Sequence, residues 1–311
     1  IIICSLLFVL SACDDVDPVG EKKATSSQLS VSERYISFDL NRSKTVNVTA
    51  SEDLSWDAYC DQSWISVDNS FGTGSKVLTV SAVEDNPNTQ KRNGTISLRS
   101  RRYNRTATIN IEQEGTYLRA DKLETVFSPK EGKQSISIES NATWSIDSKP
   151  SWISTSPVTG IGIGNITLTA SANPNGTNRE DYVIIKNAAL NKKIKVTQAQ
   201  VVLNVSSNSL SFDQSENLSK TISITSNSDW TAKSSESWCM ISSKKGSENQ
   251  DITISVSENT TASTRNAYII IESGNVSQKI SVSQMGVEVI IPITSMSFDY
   301  GSSSKTLSIT S

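Results

Sequence analysis

Along most of the chain, apolar residues alternate with Ser, Thr or Asn instead of recurring every three or four positions. Thr45-Val46-Asn47-Val48, Val77-Leu78-Thr79-Val80, Ile166-Thr167-Leu168 and Ile252-Thr253-Ile254-Ser255-Val256 are of this kind. A period of two puts one face of a strand in a core and the other in water, so these segments read as half-buried β-strands. Turn signals such as Gly72-Thr73-Gly74, Asn86-Pro87-Asn88 and Asn173-Pro174-Asn175 punctuate them. No amphipathic helix of useful length is predicted.

The six tryptophans expose a longer period. Trp56 and Trp64, Trp144 and Trp152, and Trp230 and Trp238 are each eight apart, and successive pairs are separated by 88 (144 − 56) and 86 (230 − 144) residues. Phe38, Phe127, Phe212 and Phe298 keep step, as do Asn86, Asn173 and Asn259, then Arg92, Arg179 and Arg265, then Gln113, Gln198 and Gln284. Agreement at this many positions marks internal repeats. With seven or eight strand-like runs in each, the expected fold is all-β: tandem immunoglobulin-like Greek-key β-sandwiches of about 86 residues each. The units are 29–115, 116–200 and 201–286, and 287–311 begins a truncated fourth whose Lys305-Thr306-Leu307-Ser308-Ile309-Thr310-Ser311 matches Lys220 to Ser226. Linkers between copies are almost absent, so the array is expected to be semi-rigid. A fourth copy that stops early predicts a fragment of a longer protein.

Composition narrows the function. Hydrophobic residues make up 36% and charged residues 20%, low for one large core but suited to small sandwiches. Lys plus Arg is 29 and Asp plus Glu 32, a net charge of −3 with both signs dispersed, so nucleic acid is not an expected partner. There is no histidine, which removes the commonest general base and every His-containing zinc set. Carboxylate pairs do not recur at equivalent positions and no spacing resembles a calcium loop, so the chain reads as a non-enzyme without cofactor or metal. In the repeats only Cys60 and Cys239 remain, a whole unit apart, and they are expected as unpaired thiols, Cys239 as a small core residue.

The N-terminus reads as an address. Ile1 to Ala12 is an uncharged apolar run too short to span a membrane as a helix and of the length of a signal-peptide core. Leu10-Ser11-Ala12-Cys13 resembles the bacterial lipoprotein box, which implies lipidation of Cys13 and anchoring through its acyl chains, while 13–28 forms a flexible tether. Asp14, Asp15 and Asp17 resemble the surface-export signal of Bacteroidetes lipoproteins, so the expected location is the outer membrane, exposed at the cell surface.

Within the repeats, the Leu-rich openings (Leu29-Ser30-Val31, Leu203-Asn204-Val205), the Ser-Phe pair (Ser37-Phe38, Ser211-Phe212), the first Trp, the Ser-Trp pair eight on, the Arg preceding a strand and the closing Gln together resemble the BACON domain. The resemblance covers Leu29 to Gly286 three times; the second copy departs from it with Val126-Phe127. It implies a β-sandwich and a carbohydrate-binding role in a bacterial surface protein.

A Trp repeated at one position in every copy is read as a core anchor. Aromatics peculiar to one copy are the better ligand-binding candidates: Tyr59, Phe71 and Tyr103, with Phe71 placed in a loop, Asn69 to Gly74. Arg99, Arg101, Arg102 and Arg105 surround Tyr103 at an expected hairpin and could hold carboxylate or sulfate groups of an acidic glycan, or the phosphates of lipopolysaccharide. The resulting expectation is a monomeric surface lipoprotein that binds glycans or mucin; the alternative is a spacer presenting a domain beyond Ser311.

Overall fold

A computed structural model describes residues 27–214, 218–288, 295–298, 300–301 and 304–308. The apolar segment 1–12, Cys13 and the tether up to residue 26 lie outside the described residues, as does part of 287–311. The described part of that last stretch carries no strand. The chain divides into two compact units, 1–116 and 117–311.

The first unit is one sandwich of strands β1 (Leu29–Val31), β2 (Tyr35–Phe38), β3 (Ser43–Ala50), β4 (Ser55–Cys60), β5 (Ile65–Val67), β6 (Phe71–Thr73), β7 (Lys76–Ala82), β8 (Arg92–Ser100) and β9 (Arg105–Gln113). One sheet has the order β1-β3-β7-β5, the other β2-β9-β8-β4-β6. All neighbours are antiparallel except β2, which crosses from the first sheet and pairs parallel to β9, Tyr35 against Asn110. These are immunoglobulin-like Greek-key sandwiches, as the alternation predicted. The strand count was too low, however: nine form where seven or eight runs were legible, because β5 and β6 have only three residues, too few to show a period of two.

The second unit holds two further sandwiches. One comprises β10 (Leu118–Ala120), β11 (Glu124–Phe127), β12 (Gly132–Ser140), β13 (Thr143–Ser148), β14 (Ile153–Ser156), β15 (Thr159–Ile161), β16 (Gly164–Ala170), β17 (Arg179–Lys186) and β18 (Asn191–Gln198). The other comprises β19 (Leu203–Val205), β20 (Ser209–Phe212), β21 (Leu218–Ser226), β22 (Asp229–Ser234), β23 (Cys239–Ile241), β24 (Lys245–Ser247), β25 (Gln250–Val256), β26 (Arg265–Ser273) and β27 (Val276–Gln284). Both repeat the strand order of the first.

Each core is closed by the first Trp of its pair. Trp56, Trp144 and Trp230 are almost wholly buried, and removing such a side chain costs about 3–5 kcal/mol. Each lies over a glycine on the neighbouring edge strand: a Cβ on Gly72 would stand 2.6 Å from Trp56 Cζ2, and on Gly160 or Gly246 2.3 or 2.2 Å from the equivalent atom. Only glycine fits beneath the indole. The turn after it has a positive φ at Gly74 (68°), Gly162 (68°) and Glu248 (60°), and the indole N–H donates to the carbonyl there at 2.9 Å for Trp56 and 3.1 Å for Trp230.

The other repeated polar residues are also structural. Asn86, Asn173 and Asn259 are buried and donate to the backbone carbonyls of Gln90 and Glu114, Thr177 and Ala199, and Ser263 and Met285. A buried amide satisfied in this way fixes the loop before β8, β17 or β26.

Within the second unit the two sandwiches touch directly. The tip of the β26–β27 hairpin rests on the Asn173-Pro174-Asn175 turn: Asn275 donates from its backbone N–H to Pro174 O at 2.8 Å and from Nδ2 to Asn175 Oδ1 at 2.9 Å. Lys130 reaches Asp229 Oδ1 at 2.8 Å and Ser247 Oγ at 3.0 Å.

Candidate ligand-binding face

In β4, Trp56 and Ala58 turn inward, so Ser55, Asp57 and Tyr59 point to solvent. Asp57 stands opposite Phe71 of β6 on one side and Arg99 of β8 on the other, and Arg99 stands opposite Thr106 of β9. Phe71, Asp57, Arg99 and Thr106 therefore form one row across the outer face of the five-stranded sheet. Directly opposed residues there have Cβ atoms about 5 Å apart, and diagonal ones such as Tyr59 and Phe71 lie within reach of aromatic rings. Both rings are exposed, Phe71 at 72% and Tyr59 at 67%. A shallow depression of about 360 Å³ beside Phe71 is lined by Ser55, Asp57, Gly72, Thr73 and Lys76.

Phe71 thus lies on an edge strand, not in the loop that Asn69 to Gly74 suggested. The glycines misled the reading: Gly72 is a strand residue chosen to fit beneath Trp56, and only Gly74 serves a turn.

The arginine cluster is divided. Arg99 shares the outer face with Tyr59 and Phe71, whereas Arg105 pairs with the buried Ser100 and so lies on the opposite face of the hairpin. Arg101 and Arg102 are exposed in the connecting turn, where Asn104 has a φ of 49°. Tyr103 is half-buried against the core; its hydroxyl donates to Asp53, and Arg102 lies 5.3 Å from its ring centroid. That hydrogen bond holds the Asp53 carboxyl below its ordinary range and raises the Tyr103 phenol.

Cys60 is half-buried and Cys239 is buried, both as unpaired thiols, and burial pushes both up. Among the described residues no group of three or more Cys, Asp or Glu is arranged to hold a metal.

Other outward aromatics escaped the sequence reading, Tyr35 of β2 among them. Tyr182 is 47% and Tyr268 44% exposed on the outer faces of the other five-stranded sheets. The signal was present: Val183 and Ile185, like Ala267, Ile269 and Ile271, are the buried set, which turns Tyr182 and Tyr268 outward.

The BACON family, described as "Putative binding domain, N-terminal", matches residues 54–114, 142–199 and 228–285. The first match begins at Leu54, so β1 to β3 complete that sandwich outside the matched span. No curated protein matches the chain. Among solved structures, a Bacteroides ovatus GH5 xyloglucanase in complex with a XXXG heptasaccharide is 27% identical, over 30% of this chain and 20% of its own, with a TM-score of 0.27. This chain therefore spans about a fifth of that enzyme. The I9–I11 tandem from titin aligns over 84% of this chain and 98% of its own at 9% identity and a TM-score of 0.46. An endo-fucoidan hydrolase of glycoside hydrolase family 107 aligns over 74% and 38% at 8% identity and a TM-score of 0.28. With three matched spans that together take in more than half of its residues, the chain belongs to the BACON family, as three tandem copies of its domain.

Proposed function

We propose that this protein is a non-catalytic surface lipoprotein that binds glycans through the outer face of its first sandwich. The observation that carries this reading is the convergence of Tyr59 and Phe71, two exposed rings that the fold does not require, around Asp57 and Arg99. A sugar ring has an apolar C–H face that packs on an aromatic ring, and hydroxyls that pair with a carboxylate or a guanidinium. The face is open and shallow, which suits an extended saccharide, such as a mucin glycan, better than an enclosed monosaccharide. Leu10-Ser11-Ala12-Cys13 supports anchoring of the chain to the outer membrane through a lipidated Cys13.

The test is a glycan and mucin array probed with the full chain, then with Tyr59→Ala, Phe71→Ala and an Arg99, Arg101, Arg102, Arg105→Ser variant. Loss of either ring should weaken binding by about ten-fold, and Arg99→Ser alone should reproduce most of the effect of the four-arginine variant. Binding that all these variants leave unchanged would rule out this face.

A second reading, a spacer presenting a further domain, has its own support in the bonds between Asn275 and Asn175 and between Lys130 and Asp229, which brace two successive sandwiches. Absence of glycan binding would favour it.

A further inference from the structure

Tyr182, Ile184 and Lys193 of one sandwich are each 86 residues before Tyr268, Ile270 and Lys279 of the next (268 − 182, 270 − 184, 279 − 193). In both, Tyr and Ile are two apart on a central strand, and the Lys stands directly opposite the Ile on the neighbouring strand. This places the ammonium over the tyrosine, 6.0 Å from the ring centroid for Lys193 and 4.4 Å for Lys279. All six side chains are on the outer, solvent face; the tyrosines and lysines are exposed and the isoleucines half-buried. The first sandwich has Thr95, Ser97 and Thr108 at the corresponding positions, with Ser97 opposite Thr108. The fold therefore does without this trio.

The charges are uncommitted. Among the described residues Lys193 and Lys279 form no ion pair; of the acidic neighbours on the first of these faces, Glu180 is paired with Lys195 at 3.0 Å and Asp147 with Lys186, and Glu124 stands opposite Lys195. On the second face Lys233 stands on the far side of Ile270, so that isoleucine lies between two lysines. A depression of about 360 Å³ opens there, lined by Lys233, Tyr268 and Ile270 with Ser234, Ser235 and Glu236. Glu272 lies one outward position further along the strand.

We propose that these two Tyr-Ile-Lys faces bind an acidic polysaccharide, one carrying carboxylate or sulfate groups along its chain. The ring and the isoleucine offer an apolar bed for a sugar face, and the lysine beside it is a point charge for an anion. Repetition of the trio in successive sandwiches suits a ligand that itself repeats, since two weak sites on one chain then act together. The net charge of −3 makes general attraction of polyanions weak, so binding must arise from these local groups. The inference shares only its ligand class with the proposed function and uses different residues.

The experiment is affinity electrophoresis of the full chain through gels containing dextran sulfate, polygalacturonate or neutral dextran. Retardation is expected in at least one of the acidic gels and not in dextran; which of them retards identifies the anion. Lys193→Gln with Lys279→Gln, and separately Tyr182→Ser with Tyr268→Ser, should each weaken it by about five- to ten-fold, with thermal unfolding unchanged. Tyr59→Ala with Phe71→Ala should leave it intact whatever their effect on glycan arrays. The proposal is overturned by equal mobility in all gels, by loss with the lysine pair but not the tyrosine pair, which would mean simple ion exchange, or by loss with Tyr59→Ala and Phe71→Ala.

Discussion

The guanidinium carbon of Arg179 lies 4.5 Å from the centroid of the Trp152 ring while its Nε donates to Gln198 Oε1 at 2.9 Å. Arg92 and Trp64, and Arg265 and Trp238, repeat the arrangement at 4.5 and 4.2 Å, with Gln113 and Gln284 as acceptors. The second Trp of each pair is thus covered by an arginine that hydrogen bonds hold in place, so that face is closed to a sugar, unlike a ring beside a lysine that no hydrogen bond fixes. Arg179 also donates to Ser171 O at 2.8 Å and Ala172 O at 3.1 Å, so one side chain joins a ring, a strand and a loop.

The glutamine is the centre of that junction. Gln198 is fully buried, and its Nε2 donates to Ser128 O at 2.9 Å, Lys130 O at 3.1 Å and Ser171 O at 2.9 Å. Gln198→Leu keeps the volume but removes the amide donor from the Ser128 and Lys130 carbonyls and the acceptor from Arg179 Nε, and should destabilise its sandwich by about 2–3 kcal/mol. Chemical denaturation measures this, and a change under about 0.5 kcal/mol would show that the junction adds nothing to stability.

Glycine beneath the indole should be equally intolerant. Gly246→Ala would put a methyl 2.2 Å from Trp230 Cζ2 and should cost about 2–3 kcal/mol, whereas Gly132→Ala meets its nearest atom, Phe127 Cδ1, at 3.4 Å and should cost far less. Comparing the two unfolding midpoints isolates the clash from the loss of glycine itself.

The turn that accepts the indole N–H makes the opposite prediction. Glu248 holds a φ of 60° where Gly74 and Gly162 hold 68°. Glu248→Gly should therefore raise stability by about 0.5–1 kcal/mol and Gly162→Ala lower it by about 1 kcal/mol. A fall in midpoint for Glu248→Gly would contradict the strain argument.

Acid should loosen the contact between the second and third sandwiches. The hydrogen bond from Lys130, then Ser247, holds the Asp229 carboxyl below its ordinary range. A depressed folded value means that its contribution is present above the unfolded carboxylate value of about 4 and is lost as pH falls through the lower folded one. Carboxyl NMR should show Asp229 titrating below the ordinary aspartate range and returning to it in Lys130→Met.

Glycan binding itself should separate from stability. Phe71→Ala and Tyr59→Ala remove exposed side chains, so each should shift unfolding by less than about 0.5 kcal/mol while weakening any glycan by about ten-fold. A large stability loss would instead make these rings part of the fold.

The sequence by itself determined the fold class, the repeat and the inward residues, because a strand's side-chain period of two and an 86-residue recurrence are properties of the linear order. Trp56, Trp144 and Trp230 could be assigned to cores for that reason, and Cys239 as a core thiol. Alternation also carried the outward placement of Tyr182 and Tyr268. Only the tertiary structure decided which outward residues meet. Phe71, Asp57 and Arg99 come from β6, β4 and β8, strands whose adjacency follows from the Greek-key order and not from their distance along the chain. The same order divided the arginines, sending Arg99 and Arg105 to opposite faces of one hairpin through the register of Ser100 with Arg105. It also laid Arg179 on Trp152, a contact between residues 27 apart (179 − 152) that neither period reveals.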